Sequence, residues 1–188
     1  MRRSRTAWAA LTVLVTALGA TALPADAAQA TACPTGWGSN AKTKTASTTT
    51  SVRNVRTGRH TCYDRMVIDI PGAGRSHLGY SVRYVGHLYQ DGSGRLIPVG
   101  GGAVLEVRVT APSYDSKTGK STYPARAGHP LPGVDLTGYR TFRDTRFGAS
   151  FEGDTQLGLG VRARLPFRVL RVDGQVIVDV AHTWTGAR

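Results

Sequence analysis

The sequence predicts an all-β fold: a β-sandwich of about eight to ten short, mostly antiparallel strands, preceded by a signal peptide and a polar spacer. Three observations predict it. Apolar and polar residues alternate with a period of two in five separate stretches. Clusters of glycine, proline and aspartate stand between those stretches. No window carries the apolar stripe at 3.6-residue spacing that a surface helix needs.

The chain starts Met-Arg-Arg-Ser-Arg and then runs from Ala7 to Leu23 without a charge. Pro24 and small residues follow, Ala25-Asp26-Ala27 and Ala28-Gln29-Ala30. A basic start, an apolar run and an A-x-A exit are the parts of a secretory signal. Cleavage between Ala27 and Ala28 fits, and so does cleavage after Ala30. An uncleaved anchor is the competing reading, but the alanine-diluted run is marginal for a hydrocarbon core of about 30 Å. A lipidated Cys33 is disfavoured because Ala30 stands where a lipobox wants leucine.

The resulting organisation is a signal peptide over 1–27, a polar spacer over 28–50, one domain over 51–184 and a tail over 185–188. Cys33 and Cys62 are the two cysteines. In an oxidising compartment two thiols usually pair. The loop they would close is worth about 3–4 kcal/mol in the chain-entropy view.

Each strand is read from its alternation, which puts one set of side chains on each face. Met66, Ile68 and Ile70 alternate with Val67 and Asp69. Tyr80, Val82 and Tyr84 enclose Ser81 and Arg83. Leu105, Val107 and Val109 alternate with Glu106, Arg108 and Thr110. Val161, Ala163 and Leu165 enclose Arg162 and Arg164, and Pro166 then calls for an edge or a bulge. Val176, Val178 and Val180 alternate with Ile177, Asp179 and Ala181. Asp173-Gly174 is expected to form a type I′ hairpin turn before this last strand. Residues 113–132 lack any period and are expected to make a long surface excursion, the kind of loop that often carries function.

Charge narrows the partners. Lys and Arg total 24 against 12 Asp and Glu, a formal +12 over 188 residues. Cleavage after Ala27 removes Arg2, Arg3, Arg5 and Asp26 and leaves +10. Such a chain is drawn to polyanions, including anionic wall polymers and lipid headgroups. Export argues against nucleic acid as the partner, and no run of Lys and Arg is present. No stretch after the leader is long and apolar enough to span a bilayer as a helix.

The search for chemistry finds little. His60, His77, His87, His129 and His182 are scattered without zinc spacing. The segment from Asp115 to Gly119 is too poor in oxygen ligands for calcium. Gly148-Ala149-Ser150-Phe151-Glu152 lacks the second glycine of a nucleophile elbow. No catalytic residue, metal or cofactor is therefore expected. Glu152 and Asp154 flank Gly153, and two carboxylates can run glycoside hydrolysis; solvation, or pairing with an arginine such as Arg143 or Arg146, is the plainer expectation. Of the aromatics, Trp184 is in phase with Val180 and His182 and reads as core or strand-end packing. Tyr114 and Tyr123 lie in the irregular excursion and are expected to be exposed. Tyr114, Tyr123, Arg143 and Arg146 make up the candidate ligand-binding set.

Several segments together resemble a known family. They are Val55-Arg56-Thr57-Gly58-Arg59-His60, Tyr63-Asp64-Arg65-Met66-Val67-Ile68-Asp69-Ile70 and Gly79-Tyr80-Ser81-Val82-Arg83-Tyr84-Val85. Later come Phe151-Glu152-Gly153-Asp154-Thr155-Gln156-Leu157-Gly158-Leu159-Gly160, Pro166-Phe167-Arg168-Val169 and Val176-Ile177-Val178-Asp179-Val180-Ala181-His182. Their order resembles the AMIN-like domain of secreted actinobacterial proteins over roughly residues 50–184. The related AMIN domains are β-sandwiches that target proteins to peptidoglycan. The resemblance implies a secreted, non-catalytic module that binds a cell-wall polymer, either peptidoglycan or an anionic wall glycopolymer. Two alternatives stand beside it: an orphan wall hydrolase using Glu152 and Asp154, and a protein-binding module or inhibitor using the 113–132 loop.

Overall fold

The computed structural model describes Cys33 and residues 36–184. The leader, its cleavage site at Ala27 and Ala28, and the tail lie outside the described residues. Among these residues the chain forms eleven strands: β1 (Lys42–Lys44), β2 (Asn54–Arg59), β3 (Tyr63–Asp69), β4 (Tyr80–Val85), β5 (Leu88–Tyr89), β6 (Leu96–Ile97), β7 (Ala103–Val109), β8 (Phe142–Phe151), β9 (Asp154–Val161), β10 (Phe167–Val172) and β11 (Gln175–Ala181). One short 3₁₀ turn covers Arg75–His77.

A five-stranded sheet runs β1-β4-β7-β9-β8 and a four-stranded sheet runs β10-β11-β3-β2. Every pairing is antiparallel. The two main sheets thus hold nine strands, as the all-β reading expects, and β5 with β6 forms a separate hairpin.

The alternating residues meet between the sheets. Val82, Leu105, Val107, Leu157 and Leu159 come from one side, and Met66, Ile68, Phe167, Val176 and Val178 from the other. Each is essentially without solvent contact, a gain of about 1.5–3 kcal/mol per large side chain before chain entropy is subtracted. The disulfide between Cys33 and Cys62 is formed. It ties the spacer to the start of β3, where Trp37 lies 4.4 Å from the Arg168 guanidinium and 5.6 Å from the Tyr63 ring.

Four local expectations are corrected. The alternation from Val161 to Leu165 is not a strand: β9 ends at Val161 and β10 begins after Pro166. Leu165 is buried as its period demands, but its N–H donates to the Tyr84 hydroxyl and the Arg162 N–H to Thr141 O, so no ladder forms. Pro166 does mark an edge, since β10 is the outermost strand of its sheet.

Asp173-Gly174 joins β10 to β11 as a two-residue turn, but only Gly174 has positive φ. The type I′ signature of two positive φ values falls instead at Glu152 (50°) and Gly153 (86°), between β8 and β9. Trp184 is 53% exposed, its indole N–H donating to Arg164 O.

The 113–132 excursion is only partly a surface loop. Tyr123 and Leu131 are each 2% exposed and belong to the core. Its sequence setting predicts an exposed Tyr123, but the ring packs against Phe147, and the hydroxyl donates to Pro132 O at 3.4 Å. The loop runs along β8, with the Gly128 N–H donating to Phe147 O and His129 O accepting the Phe147 N–H, and this brings Tyr123 onto Phe147.

Candidate functional site

A cleft of about 910 Å³ lies between the β5–β6 hairpin, the segment 98–104 and β8. Glycine shapes it. The outward face of β9 carries Gln156, Gly158 and Gly160. A methyl group on Gly158 would sit 2.5 Å from the Leu88 side chain, and one on Gly160 only 1.8 Å from Gly100 O. The missing side chains let the hairpin and the Gly100-Gly101-Gly102 run lie directly on the sheet.

Below the hairpin is a polar network centred on the buried Gln156 and Glu106. The Gln156 amide donates to Tyr89 O (2.9 Å) and to the Glu106 carboxylate (2.8 Å), while its oxygen accepts the Asp91 N–H. Glu106 also receives Arg83 Nε at 2.9 Å. Burial pushes the Glu106 carboxyl upward, but bonds from Gln156 and Arg83 and the charge of Arg108 outweigh it and hold the group below its ordinary range.

The cleft wall holds Asp144, Arg146, Arg164, Tyr84 and His87. Asp144 accepts Arg146 Nε at 2.9 Å and the Gly100 N–H at 2.8 Å. Arg164 stacks over the Tyr84 ring at 5.2 Å and donates to Ser39 of the spacer. Two guanidinium groups against one carboxylate leave the wall cationic.

Of the candidate set, Arg146 alone lines this cleft. Arg143 spends its guanidinium on the carbonyls of Tyr139, Arg140 and Phe142. Tyr114 is half-buried and bridges to Ser121 in the excursion, and Tyr123 is in the core. Neither Arg143 nor Arg146 pairs with Glu152 or Asp154; the cation near Asp154 is Arg108, at 3.9 Å. Glu152 and Asp154 line a second cleft, of about 540 Å³, together with His77 and Thr110. Burial raises the Asp154 carboxyl against the opposing charge of Arg108. No cluster of three metal-ligating side chains gathers among the described residues.

The segments quoted for the family resemblance all serve this architecture, and a family model, that of the AMIN-like domain, matches residues 50–182. The chain belongs to the AMIN-like domain family. Neither the curated proteins nor the solved structures return a match.

The segments that carry the likeness hold this AMIN-like domain together. Asp64, wholly buried, accepts the N–H groups of Thr141 (2.6 Å) and Phe142 (3.1 Å) and faces His182 Nε2 at 3.1 Å. Arg65 donates twice to the buried Asp179, whose second oxygen also receives Arg168 Nε. Gln156 is the hub below the hairpin, and Glu152 is the left-handed residue of a turn.

Sequence reasoning missed Asp144, Arg164 and Tyr84 as cleft residues. Gly100-Gly101-Gly102 is legible as a turn, but nothing in the sequence places it against Gly160.

Proposed function

We propose that this AMIN-like domain is an exported, non-catalytic module that binds a cell-wall polymer in the cleft beside the β5–β6 hairpin. The observation that carries the reading is the chemistry of that cleft, taken with family membership. It is open, floored by glycine backbone and walled by Arg146, Arg164, Tyr84 and His87. Such a surface suits a chain of sugars bearing anionic substituents: backbone and guanidinium donors for oxygens, ring faces for sugar planes. Asp144, the carboxylate in the wall, already holds Arg146 and Gly100, which supports binding over acid–base chemistry.

The leader pattern and the disulfide support export. The processed protein should begin near Ala28 or Thr31, which intact-mass measurement of the secreted product checks. The binding test is sedimentation of the processed protein with intact wall and with wall stripped of anionic polymers. Arg146→Ala with Arg164→Ala should cut binding at least several-fold while the melting curve stays cooperative. Undiminished binding by that variant would remove the cleft from the reading.

The hydrolase alternative is favoured by one arrangement: Glu152 and Asp154 share a cleft, and burial raises the Asp154 carboxyl. It requires slow release of soluble fragments from wall, lost in Asp154→Asn. Binding without release rejects it.

A further inference from the structure

We infer that β10 is a self-association edge, through which two copies of the chain join their four-stranded sheets into one. β10 is the outer strand of its sheet and pairs with β11 without a bulge. The turn at Asp173-Gly174 and the bond from the Ala181 N–H to Pro166 O fix which backbone groups face β11. Those of Arg168, Leu170 and Val172 do; those of Phe167, Val169 and Arg171 point away. The Phe167 N–H is taken by Gly38 O. Among the described residues, the N–H and C=O of Val169 and Arg171 have no backbone partner outside the strand.

Natural edges of this kind are usually bulged, shortened or charged. The other edges here follow that rule: β1 has three residues, β8 has two register shifts, and β2 reads Asn-Val-Arg-Thr-Gly-Arg. β10 also carries two arginines, Arg168 and Arg171, but it is six residues long, has no register shift, and exposes Leu170 (37%) and Val172 (43%).

The occupant follows from register. In an antiparallel pair of two β10 strands centred on Leu170, Leu170 faces its own copy, Arg168 faces Val172, and Val169 faces Arg171. No arginine then opposes an arginine, and each Val169–Arg171 pair exchanges both backbone hydrogen bonds. Centring on Arg171 would set two guanidinium groups against each other. Centring on Val169 would call on Phe167, whose N–H is occupied. The pattern is self-complementary in one register, so the partner is a second copy of this chain.

Net charge sets a distinguishing sign. Two copies with a formal charge of about +10 each repel, so added salt strengthens this association. Binding to an anionic wall polymer weakens with salt, so the two readings fail separately.

The test is sedimentation equilibrium of the processed protein over a concentration series at low and high salt. A monomer–dimer equilibrium that tightens with salt is expected. Leu170→Lys, an exposed substitution that leaves the core alone, should shift it at least tenfold toward monomer. Leu170→Cys checks the register directly, because directly opposed Cβ atoms lie about 4.5–5.5 Å apart. It should form an intermolecular disulfide under mild oxidation, where Arg56→Cys on β2 does not. A protein that stays monomeric at high salt with no cross-linking of Leu170→Cys above that control overturns the inference. So does a dimer that persists in Leu170→Lys.

Discussion

Single residues of this domain are held by what surrounds them, and two of them make that measurable. Tyr123 shows how far burial overrides local composition. It stands among turn formers, yet its ring is 2% exposed and burial lifts its phenol to about 12. Tyr123→Ala should cost about 3–5 kcal/mol, as truncation of a buried aromatic does. Chemical denaturation checks this, and wall binding at temperatures where the variant is folded should be unchanged. Glu106 gives the pH counterpart. Its carboxyl titrates below the ordinary 4.5 in the folded chain. The native state therefore binds fewer protons than the unfolded one, and the stabilisation is complete above that ordinary value and lost as pH falls through the depressed one. Glu106→Gln should be less stable than the parent at neutral pH, and the two should converge on acidification. A stability gap that is constant across the acid range would assign the titration to another group.

At the scale of elements, turns and crossings decide what the strands become. The β8–β9 turn is tight because both of its residues have positive φ, and Glu152 is the one non-glycine among the described residues to do so. A left-handed conformation strains a residue with a full side chain, and asparagine relieves it. Glu152→Asn should therefore stabilise the domain by up to about 1 kcal/mol. If Glu152 served catalysis the same change would abolish activity on wall, so stability and fragment release measured together separate a turn residue from an acid. The hairpin over β9 works by the opposite device, the removal of side chains at Gly158 and Gly160. The disulfide adds a third: it anchors the spacer beside the β3–β11 ladder, where Trp37 covers Arg168.

For the whole molecule, charge and recognition act over different ranges. A chain with twice as many basic as acidic residues is attracted to any wall polyanion. That attraction shrinks as the screening length falls from about 10 Å at 0.1 M salt to about 3 Å at 1 M. Contacts in the cleft depend far less on salt. Binding to intact wall should thus show a larger component lost at high salt and a smaller one that persists on stripped wall and needs Arg146 and Arg164. Loss of all binding to stripped wall at high salt would leave charge as the whole interaction. The sequence alone determined the β class, the positions of the turns, the inward face of β3, β4, β7 and β11, the disulfide and the family, because alternation, glycine and cysteine pairing are local or compositional signals. Only the tertiary structure decided that Tyr123 is core, that residues 162–165 are a crossing, and that Gly100 lies on Gly160 beside Asp144 and Arg146. Those facts depend on which strands become neighbours. Arg65 meets Asp179 across 114 positions, and no periodicity in either segment names the other, since pairing of distant strands is selected by the packing of the whole sandwich.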